Sequence, residues 1–421
     1  MRRAHRFLVA IALLVAGVFA AGPARVAEPV EGPSEQQVAA VHKTVLALDA
    51  HVDLPAGFAT EVADPGVDGK NQVDLPKMER GGVDAAVFAV FAWQQARTPE
   101  EDAKTMAIGA DKLAAIRRMV EWYPSRIGLA RTADEVVALN AAGRKAAIIG
   151  VLNGTVLGRN AERLDEYYAA GLRQFGFVHA SHNYLADSSR PLAKNGDQAT
   201  LWGGLSPLGR KLVPRLNDLG IIIDVSQLSM AAFEQTLKLT RAPIIASHSG
   251  VKALVDTARN LTDGEMRAVA AGGGVVHIVT FSAYLRGPTP EFTAKVATLR
   301  EKYGAPDDAA VAKLPPERAN AFQGEFFGLV RAEPKADVAQ FVDSIDYAVK
   351  LIGVDHVGIG TDFEHGGGVD GFRNYGEAAN VTRELLRRGY PEADIGKIWS
   401  GNWLRVFREV ERLRKPDPRK R

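Results

Sequence analysis

The chain has 421 residues, of which 46% are hydrophobic and 24% are charged, a mixture typical of globular proteins that argues against a disordered or repetitive chain. Its formal net charge is only +2, and its basic residues are spread along the length without interleaved aromatic residues, so nucleic-acid binding has no support. The absence of cysteine excludes disulfides, a thiolate nucleophile and cysteine-ligated zinc, so any metal must be held by His, Asp, Glu, Asn or Gln.

The N-terminus has the layout of a secretory signal peptide. Three arginines and a histidine precede an apolar stretch, residues 7–21, which is followed by small residues and is too short to span a membrane comfortably. We therefore expect residues 1–27 to contain the signal peptide and the start of a linker. The mature protein would be exported to the periplasm or secreted.

Short apolar runs, often β-branched, recur along the rest of the chain, and each is followed by a helical pattern, as parallel strand–helix units require. We expect eight buried strands, at residues 45–48, 85–90, 147–151, 175–178, 221–225, 244–246, 275–279 and 357–360. Eight such units predict an α/β fold of the (β/α)8 barrel type (TIM barrel). In this fold the chemistry lies at the C-terminal ends of the strands.

Polar residues follow most of these strands and would form one ring at the barrel mouth. Residues two apart in a strand point to the same side, so His51 and Asp53 predict a pair of metal ligands after the first strand. The other ring positions are Leu152 and Asn153, His179 and His182, Gln227, His248, and Asp362 with Glu364 and His365. The favoured interpretation of His182 and His365 is that they are solvent-facing loop residues.

One segment breaks the strand–helix period. Residues from about 286 to 337 predict a mostly helical insertion before the last strand, either a lid or a cover over the barrel mouth. We otherwise expect a single domain over residues 28–421, which ends in a basic tail at residues 415–421.

Several stretches together carry a resemblance to a known family. They are DAHVDLP at 49–55, VDLPKMERGGVDAAVFAV at 73–90, GLSPLGRKLVPRLNDLGIIIDVS at 204–226, APIIASHSG at 242–250, ARNLTDGEMRAVAAGGG at 258–274, HVGIGTDF at 356–363 and GNWLRVFREVE at 401–411. On these stretches, the chain from about residue 45 to residue 411 resembles the membrane (renal) dipeptidase family, peptidase family M19, one of the metal-dependent amidohydrolase-like barrels.

The resemblance implies a binuclear zinc site in which a carboxylate after the third strand bridges the two ions. His51 and Asp53 match ligands of the first metal, and His248 matches one of two histidines that bind the second. The resemblance also implies dipeptides as substrates, and dimers occur in the family.

Three further residues match positions with roles in hydrolysis. His179 resembles the histidine that polarises the substrate carbonyl and binds the tetrahedral intermediate. Arg259 matches the arginine that pairs with the substrate carboxylate, a task suited to a guanidinium fork. Asp362 matches the aspartate that moves protons between the attacking hydroxide and the leaving amine.

The chain departs from the family pattern at two metal-ligand positions. Leu152 stands where the family carries the bridging glutamate, and Gln227 stands where it carries the last histidine of a D-x-S-H motif. Both departures affect the second metal, so whether the site binds one ion, two or none is open. Asn153 offers a carbonyl oxygen only if its side chain points into the ring.

The prediction is an exported metallo-dipeptidase that hydrolyses dipeptides or similar small amides by metal-activated water. Two alternatives stay open. One is a catalytically impaired family member that binds small carboxylate ligands, which Leu152 and Gln227 favour. The other is a hydrolase of another small amide or ester, such as a lactone or an N-acyl amino acid, acting through a mononuclear site.

Overall fold

Eight parallel strands surround the centre of the molecule in this computed structural model. The strands of the described chain are β1 (Ala47–Val52), β2 (Val83–Phe91), β3 (Ile127–Leu129), β4 (Lys145–Leu152), β5 (Leu172–Gly176), β6 (Ile222–Asp224), β7 (Ile244–Val251), β8 (Asn260–Leu261), β9 (Val275–Ile278) and β10 (Val357–Ile359). The barrel order is β1-β2-β4-β5-β6-β7-β9-β10, with the short β3 and β8 paired outside it to β4 and β7. All eight predicted strands are present, and the predicted (β/α)8 barrel is confirmed.

The last and first strands close the barrel just beyond their ends. The amide of Asp53 donates to the carbonyl of Phe363, and the amide of Asp362 donates to the carbonyl of His51, each over 3.0 Å. These two hydrogen bonds join the loop after β10 to the end of β1. They also bring the polar residues that follow the two strands to the same part of the barrel mouth.

The helices cover the outside of the barrel. They are α1 (Glu35–Thr44), α2 (Leu75–Gly81), α3 (Pro99–Trp122), α4 (Ala133–Ala141), α5 (Arg163–Ala170), α6 (Pro207–Leu219), α7 (Met230–Leu239), α8 (Asp263–Ala271), α9 (Ser282–Leu285), α10 (Pro290–Tyr303), α11 (Pro316–Ala332), α12 (Val338–Ile352), α13 (Ala379–Arg387), α14 (Glu392–Gly396) and α15 (Asn402–Arg412). Many begin at a Ser, Thr or Asp whose side chain accepts a hydrogen bond from the first helical turn, as Thr98, Ser206 and Ser229 do.

Burial explains why the strands read as continuous apolar runs. Every residue of β1, β5 and β7 is buried, because side chains on one face fill the barrel and those on the other pack under the helices. The polar exceptions at the strand ends, including Asp49, Asp224 and His248, are buried too. Each of them therefore needs a polar partner inside the protein.

The segment between β9 and β10 is helical. Its helices α10 and α11 pack through a small apolar cluster separate from the barrel core, made of Leu299, Tyr303, Ala305, Val311 and Phe322. This small core explains why the predicted insertion reads as helical without belonging to the strand–helix period.

The structure describes residues 32–307, 310–311 and 313–415, and one compact unit begins at Pro33. The predicted signal peptide and the basic tail beyond Lys415 lie outside the described residues. Among the helices that are described, none combines the length and the apolar character needed to cross a membrane.

Candidate metal and substrate site

Three side chains from different strand ends converge at the barrel mouth. His51, His248 and Asp362 are all buried, and each offers a ligand atom within 4.8 Å of those of the other two. His51 Nε2 lies 3.8 Å from Asp362 Oδ1, and the two imidazoles stack with their centroids 3.9 Å apart. The barrel mouth thus gathers residues from β1, β7 and the end of β10 that are far apart in sequence.

Asp53 completes this group from the other side. Its Oδ1 lies 3.9 Å from His51 Nε2, while its Oδ2 forms a short hydrogen bond with His365 Nδ1. Burial raises the pKa of Asp53, but the hydrogen bond and charge of His365 outweigh it, so the pKa lies below the ordinary value. Asp53 therefore stays an anion.

The donor set fits a divalent metal ion. Within the described structure, His51 Nε2 and Asp53 Oδ1 are buried atoms without any hydrogen-bond partner, although burial of an unpaired polar atom is unfavourable. The imidazole nitrogen of His51 and the carboxylate oxygen of Asp53 are ligand types that zinc accepts, and the carboxylate of Asp362 lies beside them. The geometry thus places the sequence-predicted ligands His51 and Asp53 next to Asp362.

His248 is held on both sides of its ring. Its Nδ1 lies 2.7 Å from Ser247 Oγ, which in turn donates to the carboxylate of Asp224. Its Nε2 lies 3.1 Å from Nε2 of Gln227. Burial, followed by the charges of His51 and Arg259, lowers the pKa of His248 well below the ordinary value, so its ring stays neutral.

The two positions that depart from the family pattern are both buried at the mouth. Leu152 packs with Ala89 and Phe91 in a small apolar cluster, so this position contributes no ligand atom. The neighbouring Asn153 donates through Nδ2 to the carbonyl of Ala92 over 2.9 Å, and its Oδ1 accepts from Asn183 over 2.9 Å. Both the NH2 group and the oxygen of its amide thus have partners in the protein, and these hydrogen bonds hold the loop after β4.

His179 stands in an aromatic wall of the site. Its ring centroid lies 4.8 Å from that of Phe91, 5.0 Å from that of Trp93 and 4.9 Å from that of His365. Burial, followed by the charges of His365 and Arg190, lowers its pKa well below the ordinary value. A neutral imidazole with an unpaired Nδ1, as the described residues leave it, is available to a ligand.

Arg259 is buried close to the same group. Its Nη2 donates to the carbonyl of His248 over 2.7 Å, and its guanidinium lies over the ring of Tyr284 at 5.3 Å. Two aspartates near it in the sequence have other partners: Asp256 pairs with Lys252, and Asp263 accepts from the hydroxyl of Tyr347. The Nη1 atom is buried without a partner among the described residues, so it is free to bind an anionic ligand.

Asp362 has the environment of a proton carrier. Burial raises its pKa above the ordinary carboxyl value, and the nearby charges of His365 and His51 only partly oppose this. A carboxyl group with a raised pKa keeps its proton to a higher pH than an ordinary carboxyl group, which suits proton transfer. Its backbone is held at φ 58°, an uncommon angle for a residue other than glycine.

The interpretation of His182 as a solvent-facing residue is wrong. His182 is fully buried, with its Nε2 2.9 Å from the carbonyl of Gln198 and its Nδ1 accepting from the amide of Ser188 over 3.0 Å. His365 also differs from that interpretation, because its side chain is only 13% exposed and pairs with Asp53. The loops after β5 and β10 fold back over the mouth, which the strand pattern does not indicate.

Other residues of the site have no comparable signal in the sequence. Arg190 donates from Nη2 to Oε1 of Gln227 over 2.6 Å, and Tyr284 lies between Arg190 and Arg259. A cleft of about 400 Å³ opens beside Asp53 and is lined in part by Trp93 and Lys112. Arg190 lies in a loop and Tyr284 and Lys112 lie on helices, while Trp93 follows the end of β2 but is not a polar residue of the ring type.

Comparisons with known proteins agree with this architecture. The family model described as membrane dipeptidase (peptidase family M19) matches residues 35–421. Dipeptidase aclJ of Aspergillus oryzae is 29% identical over 348 residues, which cover 81% of this chain and 71% of that protein. Dipeptidase 3 of Rattus norvegicus is 26% identical over 386 residues, which cover 90% and 68%.

Solved structures give the same result. The crystal structure of the probable dipeptidase PvdM from Pseudomonas aeruginosa has a TM-score of 0.87 and 39% identity, and the match covers 90% of this chain and 98% of that one. A model match over most of the chain, together with this structural similarity, is specific to one family. The chain belongs to the membrane dipeptidase family, peptidase family M19.

Proposed function

We propose that the protein is a metal-dependent dipeptidase that hydrolyses the peptide bond of dipeptides or similar small amides. The observation that carries the proposal is the convergence of His51, Asp53 and Asp362 with two ligand atoms left unpaired in a buried site. A divalent ion held there would lower the pKa of a bound water molecule. Zinc is our first choice of ion. Membership of a dipeptidase family supports the choice of substrate.

The chain's own residues supply the remaining tasks. Arg259, with an unpaired Nη1, binds the C-terminal carboxylate of a short substrate. His179 stays neutral and donates a hydrogen bond to the carbonyl oxygen as negative charge develops there. Asp362, with its raised pKa, accepts a proton from the attacking water and delivers it to the leaving amine.

The test is turnover of a dipeptide panel by the protein with bound metal. We expect activity to disappear on chelation and to return with zinc, manganese or cobalt. We also expect Asp362→Asn to lower kcat by about 10²- to 10⁴-fold, because the amide cannot carry the proton. Asp134→Asn, which removes a carboxylate that is 89% exposed on α4, is the matched control and should leave kcat unchanged.

A protein with no bound metal and no turnover after metal addition would contradict this proposal. Leu152 and Gln227 would then favour the second candidate function, a binding protein for small carboxylate ligands. Calorimetric binding of a dipeptide without its hydrolysis would identify that function. Turnover of lactones or N-acyl amino acids, but not of dipeptides, would identify the third candidate.

We also propose that the protein is exported and that it forms a homodimer. The support for export is the signal-peptide layout of residues 1–27, and the support for the dimer is family membership. Mass spectrometry of the mature N-terminus and light scattering of the purified protein test the two statements. An intact N-terminus or a monomer would contradict them.

A further inference from the structure

A continuous chain of hydrogen bonds crosses the part of the mouth where a second metal would bind. Arg190 Nη2 donates to Gln227 Oε1 over 2.6 Å, and Gln227 Nε2 lies 3.1 Å from His248 Nε2. On the far side of the imidazole, Ser247 Oγ stands 2.7 Å from His248 Nδ1 and donates to Asp224. Each hydrogen bond in this chain orients the side chain that forms the next one.

The donors and acceptors fix the direction of this chain. A guanidinium only donates, so the oxygen of the Gln227 amide must face Arg190 and its NH2 group must face His248. The hydroxyl of Ser247 donates to a carboxylate, so it accepts from Nδ1–H of His248. The Nε2 lone pair of His248, the atom that would ligate a second ion, therefore accepts a hydrogen bond from Gln227.

Neither Leu152 nor the neighbouring Asn153 replaces the missing ligands. Leu152 presents only apolar atoms to the mouth, and Asn153 has its amide bound to Ala92 and Asn183. A second ion would have to displace the Gln227 amide and then lie beside the guanidinium of Arg190. Both changes are unfavourable, because a charge-assisted hydrogen bond is lost and two cations are brought together.

Arg190 also lacks the anionic partner that a buried guanidinium usually has. Arg190 is hydrogen-bonded to Gln227 and Tyr284, and Arg259 to the carbonyl of His248, and neither forms an ion pair with a carboxylate among the described residues. The two guanidinium groups flank Tyr284, with Arg190 Nη1 3.3 Å from its hydroxyl and Arg259 over its ring. Positive charge is therefore built into this side of the mouth by the protein itself.

We propose that Arg190, held by Gln227, is a protein-borne cation that takes the place of a second metal ion, so that each chain binds a single divalent ion. This inference rests on the metal site of the proposed function. It assigns Arg190 and Gln227 to that site, and it leaves His51 and Asp53 as the ligands of the one ion, with Asp362 beside it as the proton carrier. The role of His248 is then to receive the Gln227 amide and to pack against His51.

Metal content is the test, with zinc or manganese alone as the probe. We expect elemental analysis and calorimetric titration of the full chain to give one ion per chain, and Leu152→Glu/Gln227→His to give two. Adding Arg190→Met to that double variant should tighten the second ion by about tenfold or more, because the repulsion between the two cations is removed. Arg286→Met is the matched control, because it removes a guanidinium that, among the described residues, donates to the carbonyl of Pro334 and not to a group of the site.

The outcomes separate this inference from the proposed function. Two ions in the natural protein, or a second-ion affinity that Arg190→Met leaves unchanged, overturns the inference and leaves the proposed function standing. No ion in the natural protein overturns both. Circular dichroism of each variant establishes that it is folded, and any variant that is not is replaced by Arg190→Gln, which also removes the charge.

Discussion

At the scale of single residues, the backbone is strained where the barrel strands end. Asn153, Gln227 and Asp362 all have positive φ angles, of 70°, 72° and 58°, and none is a glycine. Such conformations cost about 1–3 kcal/mol each and persist only where the surrounding structure enforces them. The strain turns side chains of residues just beyond the strands toward partners across the mouth.

His277, inside the barrel, gives the first prediction at this scale. Burial lowers its pKa from 6.5 to about 4, although its hydrogen bond to the carbonyl of Ala246 opposes the shift. Because the folded-state pKa lies below the unfolded one, stability is fully present above pH 6.5 and is lost as the pH falls toward 4. The loss should amount to about 3 kcal/mol over this range.

The measurement is the free energy of unfolding as a function of pH for the natural protein and for His277→Gln. Glutamine does not titrate, so the variant should lose less stability than the natural protein over the same pH range. Any constant difference at neutral pH reports lost packing against Gly358 and does not affect the slope. Parallel curves for the two proteins would show that the buried imidazole does not contribute to acid destabilisation.

The residues of the site were predictable from the sequence to the extent that they follow strands. His51, His248 and Asp362 come directly after or within apolar runs, and parallel strands place such positions side by side. Arg190 and Tyr284 gave no comparable signal, because Arg190 lies in a loop and Tyr284 in the short helix α9, and the position of both depends on tertiary contacts. The family resemblance supplied roles for residues but did not indicate the hydrogen bond between Gln227 and His248.

At the scale of elements, the sequence predicted the presence of the barrel strands better than the residues at which they begin and end. β7 runs on to Val251, whereas the prediction stops at Ala246, because the polar residues of the Ser-His-Ser segment interrupt the apolar run. The short strands β3 and β8 were missed, since three and two residues are too few to show a period. Tertiary pairing with β4 and β7 defines them.

Helix α8 gives the prediction at this scale. Its N-terminus has a reciprocal capping box, in which Thr262 Oγ1 accepts from the amide of Glu265 and the Glu265 side chain accepts from the amide of Thr262. Thr262→Ala removes one of these bonds and should destabilise the protein by about 1 kcal/mol. The midpoint of urea unfolding, at constant slope, is the measurement.

The matched control is Thr298→Ala, the same substitution in the middle of α10. Thr298 is exposed, and its hydroxyl donates only to the carbonyl of Ala294 in the preceding turn. Alanine is the better helix former there, so the control should leave stability unchanged or raise it slightly. If the two variants shift the midpoint equally, the capping box does not stabilise α8.

At the scale of the whole molecule, two buried carboxylates join neighbouring strands in the same way. Asp49 on β1 accepts from the amide of His51 and from the amide and hydroxyl of Thr361 beyond β10. Asp224 on β6 accepts in the same pattern from the amide of Ser226 and from the amide and hydroxyl of Ser247 on β7. The first of these joins the two strands that close the barrel.

Asp49→Asn should therefore weaken the closure of the barrel. The Asp49 carboxylate also accepts from the hydroxyl of Tyr375, and an asparagine would face these donors with an NH2 group that cannot accept. Leaving buried donors unpaired should lower the free energy of unfolding by about 2–4 kcal/mol. The control is Glu409→Gln, which breaks an exposed pair with Arg412 and should change the free energy of unfolding by less than about 0.5 kcal/mol.

Hydrogen exchange locates the effect of Asp49→Asn. The amides of Asp53 and Asp362, which close the barrel between β10 and β1, should exchange faster in the variant. Those of β5 and β6 on the opposite side should lose protection only as far as global stability falls. Weaker closure would also separate His51 from Asp362, so metal affinity should fall together with protection. A uniform loss of protection around the barrel, with metal affinity intact, would mean that Asp49 stabilises the whole core and not this one junction.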